Sequence, residues 1–250
     1  MRTQTFVVWV QKILYSLAVI ASLLLVIDVG APWLTAQLTM PFRDFLHTLP
    51  EVEASIVVYL TVQACIVVGL FLFLRFFATK VSDMGVGRMR HWYLILLTPL
   101  TFFMYMLLTF MTSVLVSILF PEYNAGEQQE IGLSPDGGHN LFFTALYLSI
   151  LVPLAEEFAF RGYLFGLLRK KLSFITVAVV VSLVFALLHM IFDTTSGIAI
   201  KQLNVAIDVF ILSLFLCYLR EKTQSIWASV ALHGLKNFIA FLFIFIYNVR

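Results

Sequence analysis

The chain has 250 residues, of which 61% are hydrophobic and only 12% are charged, and its formal net charge is +2. Soluble domains are typically about 45–50% apolar and about 25% charged, so this composition excludes an ordinary soluble protein. The small net charge gives no reason to expect nucleic acid as a partner. Continuous apolar runs also argue against the alternating strands of a membrane barrel. We therefore predict an all-α fold, a polytopic bundle of transmembrane helices in a lipid bilayer.

Apolar runs of about 20 residues, the length of helix that crosses a bilayer, predict seven spans. They cover residues 7–27, 54–77, 93–119, 141–168, 172–192, 198–219 and 225–248. The first run is longer than the apolar part of a cleaved signal peptide, which has about 7–15 residues, so we predict an uncleaved first span. The last run contains Gly234, Lys236 and Asn237 and is predicted either as one helix or as two shorter ones, which would make eight spans.

The connections between the predicted spans alternate in charge. Acidic residues dominate 28–53 and 121–140, and the latter segment, rich in Gly and Pro, is predicted as an exterior loop. Basic residues collect in the other connections: Arg75, Lys80, Arg88, Arg90, Arg169, Lys170, Lys171, Arg220 and Lys222. Because basic connections face the cytoplasm, we predict a cytoplasmic N-terminus and, with seven spans, an exterior C-terminus.

Three ionisable residues lie within the fourth predicted span. Glu157 and Arg161 are four residues apart and share a helix face, so they are predicted to pair. Glu156 points about 100° away from Glu157 and has no local partner. Ionisable groups inside a membrane are costly, so they mark a candidate functional site. A purely structural ion pair is the alternative for Glu157 and Arg161.

Polar residues of other spans are predicted to reach the same site. A rise of about 1.5 Å per residue places Glu156, His189 and Asn237 at depths where they can meet in the membrane. His233 shares a helix face with Asn237, and either residue could instead serve as interhelical hydrogen-bonding glue. Two further polar groups, Asp208 and Lys236, are predicted to pair or to face a water-filled crevice, without a catalytic role.

Two chemistries suit carboxylates, histidines and an amide in a dry cavity. In the first, a carboxylate acts as general base on water, and His or Asn stabilises the oxyanion. In the second, Glu156, His189 and His233 hold a divalent metal such as zinc, which lowers the pKa of bound water. No His-Glu-x-x-His run occurs, which excludes a zincin-type helix but leaves scattered metal ligands open.

Three short motifs occur in order, each within a predicted span: Glu156-Glu157-x-x-x-Arg161, Phe185-x-x-x-His189 and His233-x-x-x-Asn237. This pattern resembles the CPBP family of intramembrane proteases, the group of CAAX prenyl proteases and of bacteriocin-processing and immunity proteins. The resemblance covers roughly residues 141–245 and divides the chain into N-terminal helices with an exterior loop, 1–140, and a catalytic core, 141–250. It also implies an integral protein of a bacterial cell membrane.

The resemblance implies a role for each motif residue. Glu156 would activate the attacking water with the help of His189. His233 and Asn237 would stabilise the oxyanion. The other two motif residues would orient the site: Glu157 and Arg161. The family has been interpreted both as glutamate-dependent and as metal-dependent, and its members often carry glycines in the span before the last motif, where this chain has Ser213 and Cys217.

The predicted function is therefore an endopeptidase acting on a membrane-associated or lipidated substrate, and the resemblance offers bacteriocin self-immunity as one biological role. Two other functions use the same residues differently. A non-catalytic immunity or interaction protein would use the fold only for binding. A proton-coupled transporter would relay protons through Glu156, Glu157 and His189, although no inverted repeat is evident. No residue chooses between a prenylated protein, a bacteriocin leader and another membrane peptide as substrate.

Overall fold

The structure is a computed structural model that describes residues 2–49, 51–77, 80–121, 137–191 and 200–247. Within these ranges the chain is helical and contains no strand, which confirms the predicted all-α fold. Residues 122–136 of the predicted exterior loop, 121–140, lie outside the described residues, and its last four residues, 137–140, are helical. The α-helices are α1 (Arg2–Leu24), α2 (Ala31–Thr39), α3 (Arg43–Leu46), α4 (Glu51–Phe76), α5 (Leu97–Leu119), α6 (Gly137–Leu146), α7 (Val152–Glu157), α8 (Phe165–Leu168), α9 (Phe174–Ile191), α10 (Ile200–Thr223) and α11 (Trp227–Phe241).

The described residues contain six helical segments that are long and apolar enough to cross a membrane. They are Val10–Leu46, Glu53–Leu74, Trp92–Leu119, Leu141–Leu168, Leu203–Thr223 and Trp227–Ile246. A shorter apolar helix, Phe174–Met190, lies at the position of the predicted fifth span. Within the described residues, each of the seven predicted runs is therefore helical, as expected for an integral, multi-pass membrane protein.

The first and last spans differ from the predicted boundaries. The first was expected to end near residue 27, but a π-helical segment, Leu25–Gly30, continues directly into α2. Pro32 lies directly after this segment, in the first turn of α2, and the helix runs on through it. The last span is not broken at Gly234, since α11 runs through this residue and continues into a π-helical segment, Leu242–Ile246.

The fourth span is the most irregular part of the bundle. It consists of α6, a π-helical segment Tyr147–Leu151, α7, a second π-helical segment Phe158–Leu164, and α8. Short π-helical segments inside α-helices are frequent at functional sites. Glu156 and Glu157 end α7, between the two segments, and Arg161 lies within the second one.

The fourth span lies at the centre of the bundle and contacts helices from both halves of the chain. The bundle around it is formed by α9 packing along α10, and by α10 packing against α5 and α11. On the other side, α1 and α4 contact the second π-helical segment of the fourth span, and α2 packs against α4. The predicted division into residues 1–140 and 141–250 stays a prediction.

Three of the predicted basic connections meet at one end of the bundle. Lys170 Nζ lies 2.7 Å from Asp83 Oδ2, and Arg169 forms a bidentate pair with Glu221. The hydrogen bond from Lys170 lowers the pKa of the Asp83 carboxyl, and the Glu221 carboxylate raises the pKa of Arg169. Arg220 Nη2 donates to the Asp83 carbonyl at 3.0 Å. That this basic end faces the cytoplasm stays a prediction.

Candidate active site

A buried chain of three charged or ionisable side chains links the fourth span to α11. The predicted pair is present, because Arg161 Nη1 donates to Glu157 Oε1 at 3.0 Å. His233 Nδ1 lies 3.0 Å from the same carboxylate oxygen. The Glu157 and Arg161 side chains are both 0% exposed. Burial of an ion pair is tolerated only when further polar contacts support it, and His233 supplies such a contact from another span.

Arg161 has two more partners that its sequence position did not predict. Its Nη2 donates to the Ser213 hydroxyl at 2.7 Å, and its guanidinium lies 4.7 Å from the centroid of the Phe185 ring. Ser213 stands at a position where the resembling family often has glycine. Here its hydroxyl satisfies a buried cation, while Cys217, the other such position, lies in the hydrophobic core.

Glu156 lies at the boundary between this buried chain and a cavity. Its side chain is 24% exposed, and its Oε2 is buried 3.8 Å from His233 Nε2, beyond hydrogen-bonding distance. Among the described residues, Oε2 has no hydrogen-bond partner. A buried carboxylate oxygen without a donor is unusual and marks a candidate functional group, and the partly exposed side chain that carries it lines the cavity.

One ring nitrogen of His189 forms a hydrogen bond to the backbone, and the other is available for a further partner. Its Nδ1 lies 2.8 Å from the Phe185 carbonyl, which can only accept, so Nδ1 carries the proton in this contact. In the neutral ring Nε2 then has the lone pair, as a proton acceptor or a metal ligand requires. The Phe185 ring packs near both histidines, with centroid distances of 4.5 Å to His189 and 6.2 Å to His233.

Asn237 bonds to the irregular backbone of the fourth span. The Val152 N–H bonds to the Tyr147 carbonyl, five residues earlier in the chain. The same pattern would pair the N–H of residue 153 with the Leu148 carbonyl. Pro153 has no N–H, and Asn237 Nδ2 instead donates to the Leu148 carbonyl at 3.0 Å. One N–H of the amide is therefore used for structure, and the second is available for another acceptor.

Gly234 allows α11 to approach this segment closely. A Cβ atom at residue 234 would lie 2.5 Å from the Ser149 carbonyl oxygen, which is backbone and cannot rotate away. The neighbour of Gly234 is His233, so the close approach also sets the position of the histidine ring. A glycine in the last span thus serves packing and does not break the helix.

We expect Gly234→Ala to lower both stability and activity. Overpacking of this kind typically costs about 1–3 kcal/mol, and the displaced α11 would carry His233 away from Glu157. Gly87→Ala is the matched control, because a Cβ at residue 87 meets no atom within 4 Å. Thermal unfolding of the detergent-solubilised protein measures the difference. Equal midpoints for the two variants would refute the close contact.

The cavity beside Glu156 has a volume of about 360 Å³. Its wall is mainly apolar and is built from four parts of the chain: Ile27 and Pro32 of the first span, Tyr59, Val62, Gln63 and Ile66 of α4, Ala155, Glu156, Ala159 and Phe160 of the fourth span, and Phe185, Leu188 and His189 of α9. Glu156 and His189 therefore share one cavity. The sequence offered a signal for Tyr59 and Gln63, two polar residues four apart in an apolar span, but they were not predicted.

The three predicted metal ligands are Glu156, His189 and His233. His189 and His233 each have Nδ1 bonded to an oxygen, as metal-ligating histidines commonly do. However, no three His, Cys, Asp or Glu side chains converge on one point within the described part of the chain. The residues as arranged do not fit a metal ion, so we assign no step to one, and metal dependence stays a prediction.

Asp208 and Lys236 do not pair with each other, so the first of the two arrangements predicted for them is wrong. Asp208 Oδ1 accepts hydrogen bonds from Tyr105 and Thr109 of α5, both at 2.8 Å. These hydroxyls satisfy the carboxylate without a cation, since a carboxylate oxygen accepts more than one donor. The contacts tie α10 to α5.

Residues 138–239 match the family model described as type II CAAX prenyl endopeptidase, Rce1-like. No curated protein and no solved structure matched the chain. The matched segment begins in α6 and ends in α11, so it contains all three motifs. The predicted resemblance is thereby confirmed over this segment, and it supports an intramembrane endopeptidase at the level of the family.

Proposed function

We propose that this chain, similar over residues 138–239 to type II CAAX prenyl endopeptidases, hydrolyses peptide bonds within the membrane by means of a water molecule activated by Glu156. The observation that carries the proposal is the buried, unpartnered Oε2 of Glu156, beside His233 and at the edge of the cavity that His189 lines. The substrate is a membrane-associated or lipidated peptide, because the cavity wall is apolar and lies among apolar helices.

In the proposed reaction, Glu156 takes a proton from water as the water oxygen attacks the scissile carbonyl carbon. His189, with Nε2 as its free nitrogen, assists in orienting this water. The oxyanion that forms is stabilised by N–H donors from α11, for which the second amide proton of Asn237 and Nε2–H of His233 are the candidates. Because Nδ1 of His233 donates to Glu157, its Nε2 is a donor only in the protonated ring. Collapse of the intermediate breaks the C–N bond, and the proton held by Glu156 passes to the leaving amine.

Glu157 and Arg161 are positioning residues in this scheme. Glu157 binds the His233 ring through Nδ1, and Arg161 balances the charge of that carboxylate and anchors it to α10 through Ser213. Held in this way, the imidazole presents Nε2 toward Glu156. Preorganised polar groups in a water-poor site contribute more to the rate than groups that must reorient during the reaction.

Cleavage of a library of apolar peptides by the purified, liposome-reconstituted protein tests the proposal. We expect product peptides from the wild type, equally with and without a chelator if no metal takes part. Loss of cleavage on chelation, restored by zinc, would support the metal-dependent alternative. Absence of cleavage of every peptide, together with protection of cells from a bacteriocin that survives Glu156→Gln, would instead support a non-catalytic immunity protein. We further propose that the protein takes part in bacteriocin self-immunity, and the same protection assay tests this role.

A further inference from the structure

Helix α4 contributes polar groups to the cavity from outside the segment that matches the protease family. Tyr59 and Gln63 lie one turn apart on α4 and line the cavity together with Glu156 and His189. The Tyr59 ring packs edge-to-face on Tyr147 of the fourth span, with centroids 4.6 Å apart. Because residues four apart share a helix face, the two side chains point the same way. The two side chains therefore face the proposed reaction site.

A peptide that enters this cavity must exchange its hydrogen bonds to water for hydrogen bonds to protein. An unsatisfied backbone amide in an apolar environment costs free energy comparable to a lost hydrogen bond or more. Among the described lining residues, the polar side chains are Glu156, His189, Tyr59 and Gln63. The first two are assigned to the water, so the substrate backbone depends on the other two.

The geometry points to Gln63 and Tyr59 as substrate-binding residues that hold the peptide backbone next to the scissile bond. This inference rests on the proposed function and adds that the site recognises the peptide backbone of the substrate. A carboxamide offers both a donor and an acceptor, and so can pair with the N–H and the C=O of one peptide unit. The Tyr59 hydroxyl adds one further donor or acceptor. The site then accepts an extended peptide with apolar side chains, selected by its backbone as much as by its sequence.

The decisive variants remove polar atoms and keep the shape of the wall. Gln63→Leu removes the amide, and Tyr59→Phe removes the hydroxyl while the ring still packs on Tyr147. Thr61→Val is the matched control on the same helix, since Thr61 does not line the cavity and its hydroxyl bonds to the Val57 carbonyl at 2.8 Å. We expect KM to rise about tenfold for Gln63→Leu, which removes both hydrogen bonds of the carboxamide, and less for Tyr59→Phe, which removes one, with kcat little changed.

A double-mutant cycle, which combines Gln63→Leu with modified peptides, separates direct binding of the substrate from a general structural effect of the substitution. In the best-cleaved library peptide, each amide N–H near the scissile bond is replaced in turn by an ester oxygen. At the position that Gln63 binds, the replacement is expected to weaken wild-type binding about tenfold and to leave Gln63→Leu unchanged, since contacting groups are not additive. Additive losses at every position would overturn the inference.

The same inference is tested by affinity without catalysis. Fluorescein-labelled decapeptides with apolar side chains at their central positions are titrated into Glu156→Gln protein, with and without Gln63→Leu. Weaker binding of these peptides with Gln63→Leu supports the assignment even if the wild type cleaves none of them, in which case only the proposed function fails. Equal affinities would overturn the assignment, whether or not the wild type is a protease.

Discussion

Glu156→Gln is expected to lower the rate of peptide cleavage by about 10²–10⁴-fold, the usual contribution of a general base. The amide has nearly the shape of the carboxylate but cannot take a proton from water at neutral pH. The buried Oε2 has no donor among the described residues, so the substitution breaks no hydrogen bond there. We therefore expect the loss in kcat and an unchanged unfolding temperature, measured on the same preparation.

Asp44→Asn is the matched control for this substitution, because it makes the same chemical change on an exposed residue of α3. It should cleave at the wild-type rate. His189→Ala should lose activity as Glu156→Gln does, since it removes the second polar group that lines the cavity beside the water. If both Glu156→Gln and His189→Ala retained wild-type kcat, the glutamate-activated water would have to be abandoned.

Arg161→Met is expected to destabilise the protein by about 3–5 kcal/mol, the usual cost of leaving one charge of a buried pair without its partner. Arg161 and Glu157 are both fully buried, and Met lacks every donor that Arg161 directs to Glu157 and Ser213. The remaining carboxylate would keep only the contact from His233. Denaturant unfolding of the solubilised protein gives the free-energy difference.

The double variant Glu157→Gln with Arg161→Met is the internal control for this prediction. Removing the second charge relieves the desolvation cost, so the double variant should be more stable than Arg161→Met alone. Its activity should nevertheless stay low, because an amide at residue 157 holds the His233 ring less firmly than a carboxylate. A double variant that is no more stable than the single one would mean that the pair does not act as buried charges.

The local part of the site could be predicted from sequence, and the reason is helix geometry. Residues four apart on a helix meet whatever the rest of the chain does, so the pair between Glu157 and Arg161 was predictable and is present. The contact of His233 with Glu157 depends on how two distant spans pack. Depth along the spans made their meeting plausible, but the choice of Glu157 rather than Glu156 as the hydrogen-bond partner needed the structure.

Two features could not be predicted from sequence, each for a different physical reason: the π-helical segments, and the part of the cavity wall that α4 forms. The donor that Pro153 lacks suggests an irregularity, but its form depends on Asn237 and Gly234 arriving from another helix. Which residues of α4 line the cavity depends on which face of the helix turns inward. Because α4 is apolar on all sides, its sequence has no hydrophobic pattern that identifies the inward face. The polar pair of Tyr59 and Gln63 was the only local clue, and its meaning came from the cavity.

Cleavage of one apolar peptide in water labelled with heavy oxygen tests the central claim most directly. Wild-type protein and Glu156→Gln are reconstituted side by side, and the products are weighed by mass spectrometry with hydroxylamine present to trap any acyl intermediate. We predict labelled oxygen in the new carboxyl group, no hydroxamate, and about 10²-fold less product, or lower still, from Glu156→Gln than from the wild type. Hydroxamate formation, or equal cleavage by the two proteins, would contradict a water molecule activated by Glu156.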